Sequence, residues 1–424
     1  MLIGCQLGSM PTDNSIDNIS EEESTADPVL WVGDLLTDQD SGEQPLKDPA
    51  ETERPTVVQS EVEAQPEATI IDLTVMPPTD MSLTSIPPTS IPPTSIPPTS
   101  IPPTSIPPTS ITPTSIPPVE PQFEMGNELT IATLRAREIV GSEITFEQTL
   151  ENGSNYAQYI ASYLSEGNRI YGLLTVPFGD SPAGGYKAVV FNHGFIPPDV
   201  YQTTERYVAY VGALASSGLV VFKIDLRGHG NSEGESSGTY FSPNYTVDAI
   251  SALKSLQTLD FVDPQGIGMW GHSMAGNLVL RAMLIEPDVR AGVIWAGAVY
   301  SYNDLGRYSI DDPSANRDFF DRAPGFRRGR EIREFYGQPD LAVPYWRAVS
   351  LTENLSTLQA PLQLHHAVND NVVNVGYSVD LAAALVAQNK THEFYRYDGG
   401  GHNIGDPAFA EAMRRTVAFY LANL

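Results

Sequence analysis

From about Asn127 onward the chain alternates two kinds of apolar patterning: short runs that suit strands, and stretches in which apolar residues recur at helical spacing. Tyr156–Leu164 and Arg169–Val176 each alternate apolar and polar positions, and Ser165-Glu166-Gly167-Asn168 between them is hairpin turn chemistry. They predict two antiparallel strands, the second ended by Pro177. Ahead of them, Leu129–Leu134 and Ile144–Leu150 read as two strands, or as one strand and an edge segment. Lys187–Asn192 is nearly all apolar and suits burial on both faces of a parallel sheet. Leu219–Ile224, Ile267–Trp270, Ala291–Trp295, Pro361–His366 and Glu393–Tyr397 read as further strands. Helices are predicted between them over Val200–Ser217, closed by Gly218, over Tyr245–Leu259 with Asn244 as its cap, from Leu278 to Leu284, and over 375–388 and 407–421. Such alternation predicts an α/β fold with a mostly parallel, doubly wound sheet. From about Tyr300 to Thr357 the rhythm breaks. Asp311-Asp312-Pro313, Arg327-Arg328-Gly329-Arg330 and several aromatic residues occupy this insertion, which is expected to cover the strand ends as a helical lid, with a peripheral helical pair as the blander reading.

Nothing ahead of Asn127 carries this patterning. Residues 6–84 are rich in Asp, Glu, Ser, Thr and Pro, and are expected to be disordered because they bury too little surface to offset the entropy of ordering. From Ser85 to Pro118 the unit Ser-Ile-Pro-Pro-Thr repeats, with Thr112 in place of one proline. Paired prolines favour an extended polyproline II spacer of ~3.1 Å per residue, so residues 85–118 read as a stalk and 119–126 as a linker. The formal net charge of −28 is concentrated here: residues 1–125 hold 20 of the 52 acidic side chains but only Lys47 and Arg54 of the 24 basic ones. An acidic surface without a basic patch argues against nucleic acid as a partner. Cys5 is the single cysteine, which excludes an internal disulfide and a cysteine metal site. Its setting, Leu2-Ile3-Gly4-Cys5, resembles a bacterial lipobox, although the basic and apolar regions that should precede it are missing. Either the true start lies upstream and Cys5 carries a lipid anchor that holds the protein outside the cytoplasm, or the match is chance and the protein is cytoplasmic.

Candidate chemistry sits at three predicted strand ends. Gly271-His272-Ser273-Met274-Ala275-Gly276 is strand, sharp turn and helix with a serine at the apex, an arrangement that lifts a hydroxyl out of the sheet. Taken alone it is a weak motif, and an ordinary strand-to-helix turn is the alternative. Asp370 lies four residues after a strand and could accept a histidine N–H, or simply cap the following helix. His402, on Gly399-Gly400-Gly401, has little structural reason to be there and is best used as a base. His193-Gly194-Phe195 also follows a strand, which makes the Phe195 N–H, with that of Met274, a candidate oxyanion donor. Ser232 is a rival nucleophile in a glycine-rich loop that Asp225 and Arg227 are expected to shape as a pair. His272 should pack or hydrogen-bond, and His365 and His366 should be strand-end residues. No H-E-x-x-H or similar spacing points to a metal, and no cofactor is expected.

The chain order Ser273, Asp370, His402 is that of an α/β-hydrolase triad. The hairpin with Arg169-Ile170-Tyr171-Gly172, Asn192-His193-Gly194, Asp225-Leu226-Arg227-Gly228-His229-Gly230, the Ser273 motif, His366 to Asp370 and Gly401-His402 together resemble the α/β-hydrolase superfamily over roughly residues 155–424. Within it, the chain is similar to prolyl-oligopeptidase-like serine peptidases and their dienelactone-hydrolase and esterase relatives. Ala275 and Ala367 stand where glycines are common. The resemblance implies a catalytic domain over 127–424 with the lid inserted at about 300–357. It also implies acyl transfer by Ser273, Asp370 and His402, with Phe195 and Met274 holding the oxyanion. Oligopeptidases of this kind carry a β-propeller ahead of the hydrolase domain, and residues 1–126 cannot be one. The expected substrate is therefore a peptide or a small ester, with the peptidase favoured over a carboxylesterase. A stalked, non-catalytic surface binding protein is the alternative of another class.

Overall fold

In the computed structural model the described residues are 122–312 and 324–424. The expected tail, stalk and Cys5 lie outside them, as do residues 313–323 of the insertion.

Nine strands form one sheet. In chain order they are β1 (Thr145–Thr149), β2 (Tyr156–Ser165), β3 (Asn168–Pro177), β4 (Tyr186–Asn192), β5 (Val220–Ile224), β6 (Val262–His272), β7 (Gly292–Trp295), β8 (Leu362–Ala367) and β9 (His392–Tyr397). Across the sheet they lie in the order β1-β2-β3-β5-β4-β6-β7-β8-β9. The first three are antiparallel, β3 meets β5 antiparallel, and every pair from β5 to β9 is parallel. The β2–β3 turn places both Glu166 (φ 50°) and Gly167 (φ 82°) in the left-handed region, the geometry that matches hairpin twist.

Helices cover both faces, which is why the central strands need no polar face. Along β4, Ala188 and Val190 pack into one core with α3 (Asn244–Leu256) and α4 (Met274–Ile285). The alternate residues Val189 and Phe191 pack into another with α2 (Val208–Ser216) and α8 (Phe409–Asn423). Each such fully buried aliphatic or aromatic side chain contributes ~1.5–3 kcal/mol relative to exposure. Because β4, β6, β8 and β9 run parallel, the loops leaving them emerge on one side of the sheet, where ligand sites of doubly wound folds form.

Three local expectations are corrected. Residues 129–134 are not a strand: a 3-10 turn (Asn127–Leu129) leads into α1 (Ile131–Ala136), with the Thr130 hydroxyl accepting the Thr133 N–H at 3.2 Å. Buried Leu129, Ile131 and Leu134 were read as strand because six residues, 129–134, are too few to separate the two periods. The helix expected over 200–217 begins only at Val208, after two residues with positive φ, Arg206 and Tyr207. Asn244 does not cap α3; it lies inside the first turn and its own N–H is held by the Ser242 hydroxyl at 3.2 Å. Within the insertion, α5 (Pro324–Tyr336) and α6 (Pro344–Val349) are helical, and α7 (Gly376–Ala387) follows β8.

Candidate active site

The serine turn is built by backbone. β6 ends at His272, α4 begins at Met274, and Ser273 between them has φ 54° and ψ −121°. For a residue with a Cβ this conformation costs ~1–3 kcal/mol, and the surrounding structure has to enforce it. The Ser273 N–H is tied to the Trp295 carbonyl of β7 at 2.9 Å, and its carbonyl accepts the Gly276 N–H at 2.9 Å. Two close approaches explain the glycines. A Cβ on Gly271 would sit 2.6 Å from the Ala275 carbonyl oxygen, and one on Gly276 would sit 2.7 Å from the Gly297 Cα. The second small position is thus Gly276, one residue beyond the usual place, and fully buried Ala275 is accommodated. Met274 supplies the first amide of α4, one of those with no acceptor within a helix.

The candidate acid and base are held by side-chain and backbone hydrogen bonds. Asp370, whose carboxylate is wholly buried, accepts the Val372 and Val373 N–H groups on one oxygen, each at 2.9 Å. Its other oxygen meets His402 Nδ1 at 2.9 Å and His366 Nε2 at 3.1 Å. Burial pushes the Asp370 carboxyl up, but the two imidazole hydrogen bonds and the backbone donor outweigh it and hold the group well below the usual carboxylate range. With Nδ1 donating to a carboxylate, His402 keeps its lone pair on Nε2, the form required of a base. His402 and Ser273 line the same cleft with no hydrogen bond between them, a contact that in such sites tightens on substrate binding.

His366 is the strand-end residue that was expected, near the end of β8, and it also lies directly against the carboxylate. Its Nε2 faces both Asp370 and the Val373 carbonyl (2.9 Å), so that nitrogen carries the proton, while Nδ1 accepts from the Ser378 hydroxyl at 2.7 Å. A histidine four residues before the acid was the available signal. His272 was expected to hydrogen-bond, and it does so in a way that joins two loops. The Gly194 N–H donates to the Tyr207 hydroxyl (3.0 Å), that hydroxyl donates to His272 Nδ1 (2.8 Å), and His272 Nε2–H donates to the His402 carbonyl (2.9 Å). Burial, with nearby His402 adding to it, lowers the His272 imidazole to about 3, so it stays neutral and its tautomer is fixed. Tyr207 was not singled out by sequence, since nothing local marks a tyrosine before a helix. The His402 loop is further held by Tyr210, which donates to the Asn403 carbonyl at 2.6 Å, and by Asn369, which accepts the Gly401 N–H at 3.0 Å.

Beneath the Phe195 loop lies a buried polar layer. Asp225 and Arg227 do not form the expected pair. Asp225 accepts the Tyr201 and Thr203 hydroxyls at 2.7 and 2.5 Å, and burial pushes it up to about 6. Arg227 binds Asp248 of α3, at 2.6 Å at its shortest. His193 stacks on Tyr201 and is held neutral by burial. Ser232 accepts the Tyr171 N–H at 2.9 Å, and its hydroxyl oxygen serves the hairpin rather than a base.

Ser273 separates two cavities. The outer one is lined by His402, His272, Tyr207, Tyr210 and Val200. The inner one is lined by Met274 and by Tyr240, Phe241, Ile310 and Phe326. Phe195 and Asp312 border both. Among the described residues no group of three or more His, Cys, Asp or Glu is arranged to hold a metal ion.

Residues 186–315 match the family model described as serine aminopeptidase, S33. The chain is 26% identical to mouse dipeptidyl peptidase 8 over 266 residues, covering 60% of this chain and 27% of that protein. It thus spans about a quarter of that relative's length. It is also 26% identical over 245 residues to the uncharacterized peptidase YtmA of Bacillus subtilis (strain 168), covering 58% of this chain and 85% of that protein. A solved acetyl xylan esterase from Paenibacillus sp. R4 superimposes with a TM-score of 0.49 at 19% identity, covering 69% of this chain and 92% of that one. The doubly wound sheet, the serine at a strained strand-to-helix turn and the family match over residues 186–315 together give the chain an α/β-hydrolase fold and make it a serine hydrolase.

Proposed function

We propose that Ser273, Asp370 and His402 act as nucleophile, acid and base in a two-step hydrolysis of peptide or ester bonds, with a prolyl-oligopeptidase-like serine peptidase as the favoured assignment. One observation carries the reading: an imidazole fixed on a buried carboxylate at 2.9 Å borders the same cleft as a serine held at φ 54°. His402 Nε2 takes the proton from Ser273 as the hydroxyl attacks, Asp370 steadies the imidazolium, and the Met274 and Phe195 N–H groups receive the oxyanion. Each oxyanion donor is worth ~2.7–4 kcal/mol of barrier. The strain at Ser273 favours catalysis over the stalked binding-module reading, because a binding surface has no use for it. The peptidase preference rests on the S33 family match and on two relatives named as peptidases. The carboxylesterase reading is favoured by the apolar and aromatic residues, Tyr240, Phe241, Ile310 and Phe326, that line the inner cavity with Ser273.

A fluorophosphonate probe tests the reading: the folded wild type is expected to label and Ser273→Ala to remain unlabelled. A folded wild type that does not label contradicts it. Matched p-nitrophenyl esters and aminoacyl p-nitroanilides then separate esterase from peptidase.

A further inference from the structure

Arg206 is the one arginine or lysine among the described residues lining the outer cleft. We propose that it binds a carboxylate on the leaving group, so that the enzyme prefers substrates whose departing amine or alcohol carries an acid. The free C-terminus of a short peptide is the source of that carboxylate that fits the peptidase reading. The inference rests on the triad reading and deepens it by naming the substrate class.

The chemistry assigns the outer cleft to the leaving group. Ser273 Oγ bonds to the carbonyl carbon and its proton passes to His402. His402 gives that proton to the leaving nitrogen or oxygen as the bond from that atom to the carbonyl carbon breaks, and water then repeats the sequence to release the acid. The leaving group therefore departs past His402, which lines the outer cleft and not the inner cavity, and Arg206 is placed in the same way. Asp312 is the one acidic side chain among the described residues lining the cleft, and it borders the inner cavity as well. Burial pushes the Tyr207 phenol up, Asp312 adds to that and Arg206 opposes it, so both charges are felt at the hydroxyl that binds His272. Among the described residues, Arg206 makes no ion pair and no side-chain hydrogen bond. Its guanidinium offers five donors in a planar fork, the geometry that pairs with a carboxylate through two parallel hydrogen bonds.

The backbone that presents Arg206 is strained and anchored. Arg206 (φ 53°) and Tyr207 (φ 55°) are both in the left-handed region, which a residue with a Cβ adopts only where its surroundings enforce it. A helix start asks for an extended cap residue, so the left-handed pair is not dictated by α2, which begins at Val208. The anchors are buried polar groups. Lys223 of β5, wholly buried, donates to the Glu205 carbonyl at 3.0 Å, one residue ahead of Arg206. Burial lowers its ammonium to about 8, and the Asp225 charge offsets part of that. Asp225, also wholly buried, holds the Tyr201 and Thr203 hydroxyls, and the Tyr207 hydroxyl is held between Gly194 and His272. A buried ammonium is a costly anchor for an ordinary surface segment, and strained backbone of this kind gathers where side chains meet ligands.

The test uses substrate pairs that differ by a carboxylate on the leaving group, with the full chain and beside fluorophosphonate labelling of Ser273. One pair is trialanine as the free acid and as its C-terminal amide; the other is 3-carboxy-4-nitrophenyl acetate and p-nitrophenyl acetate. In the wild type, kcat/KM is expected to be about tenfold higher for the carboxylate member, the scale of a charged hydrogen bond with one partner exposed to water. Arg206→Gln should lower that ratio about tenfold, Arg206→Lys should lower it less, and Arg206→Glu should bring the carboxylate member below the neutral one. A preference in the peptide pair identifies the free C-terminus as the source, and one confined to the ester pair identifies an acidic alcohol. A labelled wild type with no preference in either pair, or variants that slow both members of a pair alike, overturns the inference while leaving the triad intact. A folded wild type that does not label overturns both.

Discussion

The two halves of the proposed catalytic centre are held by different means. The nucleophile is positioned by backbone: a strained φ at Ser273, a tie to β7, and glycines where α4 meets the sheet. The proposed acid and base are held by a network of hydrogen bonds instead, with Asp370 accepting two imidazole and two backbone donors and His402 anchored through Nδ1 and through its own carbonyl. A backbone device tolerates a displaced glycine, as Gly276 demonstrates, because only the close approach has to be met. A side-chain device depends on each hydrogen bond keeping its direction, so single substitutions should expose it.

The largest effect is expected at the acid. Asp370→Asn should lower kcat by about 10⁴-fold with the fold retained, since an amide no longer fixes the His402 tautomer. Stopped assays with circular dichroism check this, and unchanged turnover would place the acid elsewhere. Next comes the strap between loops. Tyr207→Phe removes the hydroxyl that joins Gly194 to His272, and should cost about 10- to 100-fold in kcat, the size of a small displacement of catalytic groups. KM should hardly move. Equal losses in kcat and substrate binding would show a collapsed cleft instead.

The third test is thermodynamic. His272 is lowered to about 3 by burial, whereas an unfolded histidine titrates near 6.5, so the unfolded chain binds an extra proton between those values. Its contribution is therefore constant above pH 6.5 and is lost as pH falls, by ~1.4 kcal/mol per pH unit. His272→Gln should make urea stability decline less steeply between pH 6.5 and 5, by ~2 kcal/mol over that interval. An identical slope in both proteins would mean that His272 is charged in the fold. The smallest effect belongs to His366. His366→Gln can keep one donor near the carboxylate, and should cost ~1 kcal/mol, about fivefold in kcat. A loss as large as that of Asp370→Asn would give His366 a share in the acid itself.

These halves also differed in how far the sequence disclosed them. Ser273, Asp370 and His402 stand out in the sequence as candidates because each follows a strand run and the order of the three is informative, although each alone has an innocent explanation. The parallel sheet was legible for the same reason: apolar runs such as Lys187–Asn192 leave few other places to be buried. The hydrogen bonds that orient the base were not. Tyr207 and His272 are 65 residues apart, and His366 reads as strand until the loop after it folds back to bring Asp370 against its imidazole. Asp225 and Arg227 misled because closeness in sequence suggested a pair, whereas beyond the end of β5 the backbone turns through Leu226, at φ 42°, and the two side chains found partners on different elements. Residues 127–136 misled because a short apolar stretch carries too little period to tell helix from strand.

The central claim is that one serine, held by the strand-to-helix turn, carries the acyl group. Intact-mass measurement after fluorophosphonate treatment, followed by peptide mapping, tests it most directly. The account predicts one adduct per chain, located on the peptide containing Ser273 and absent when the protein is unfolded beforehand. An adduct on Ser232, or a folded protein that gains no mass, would contradict it.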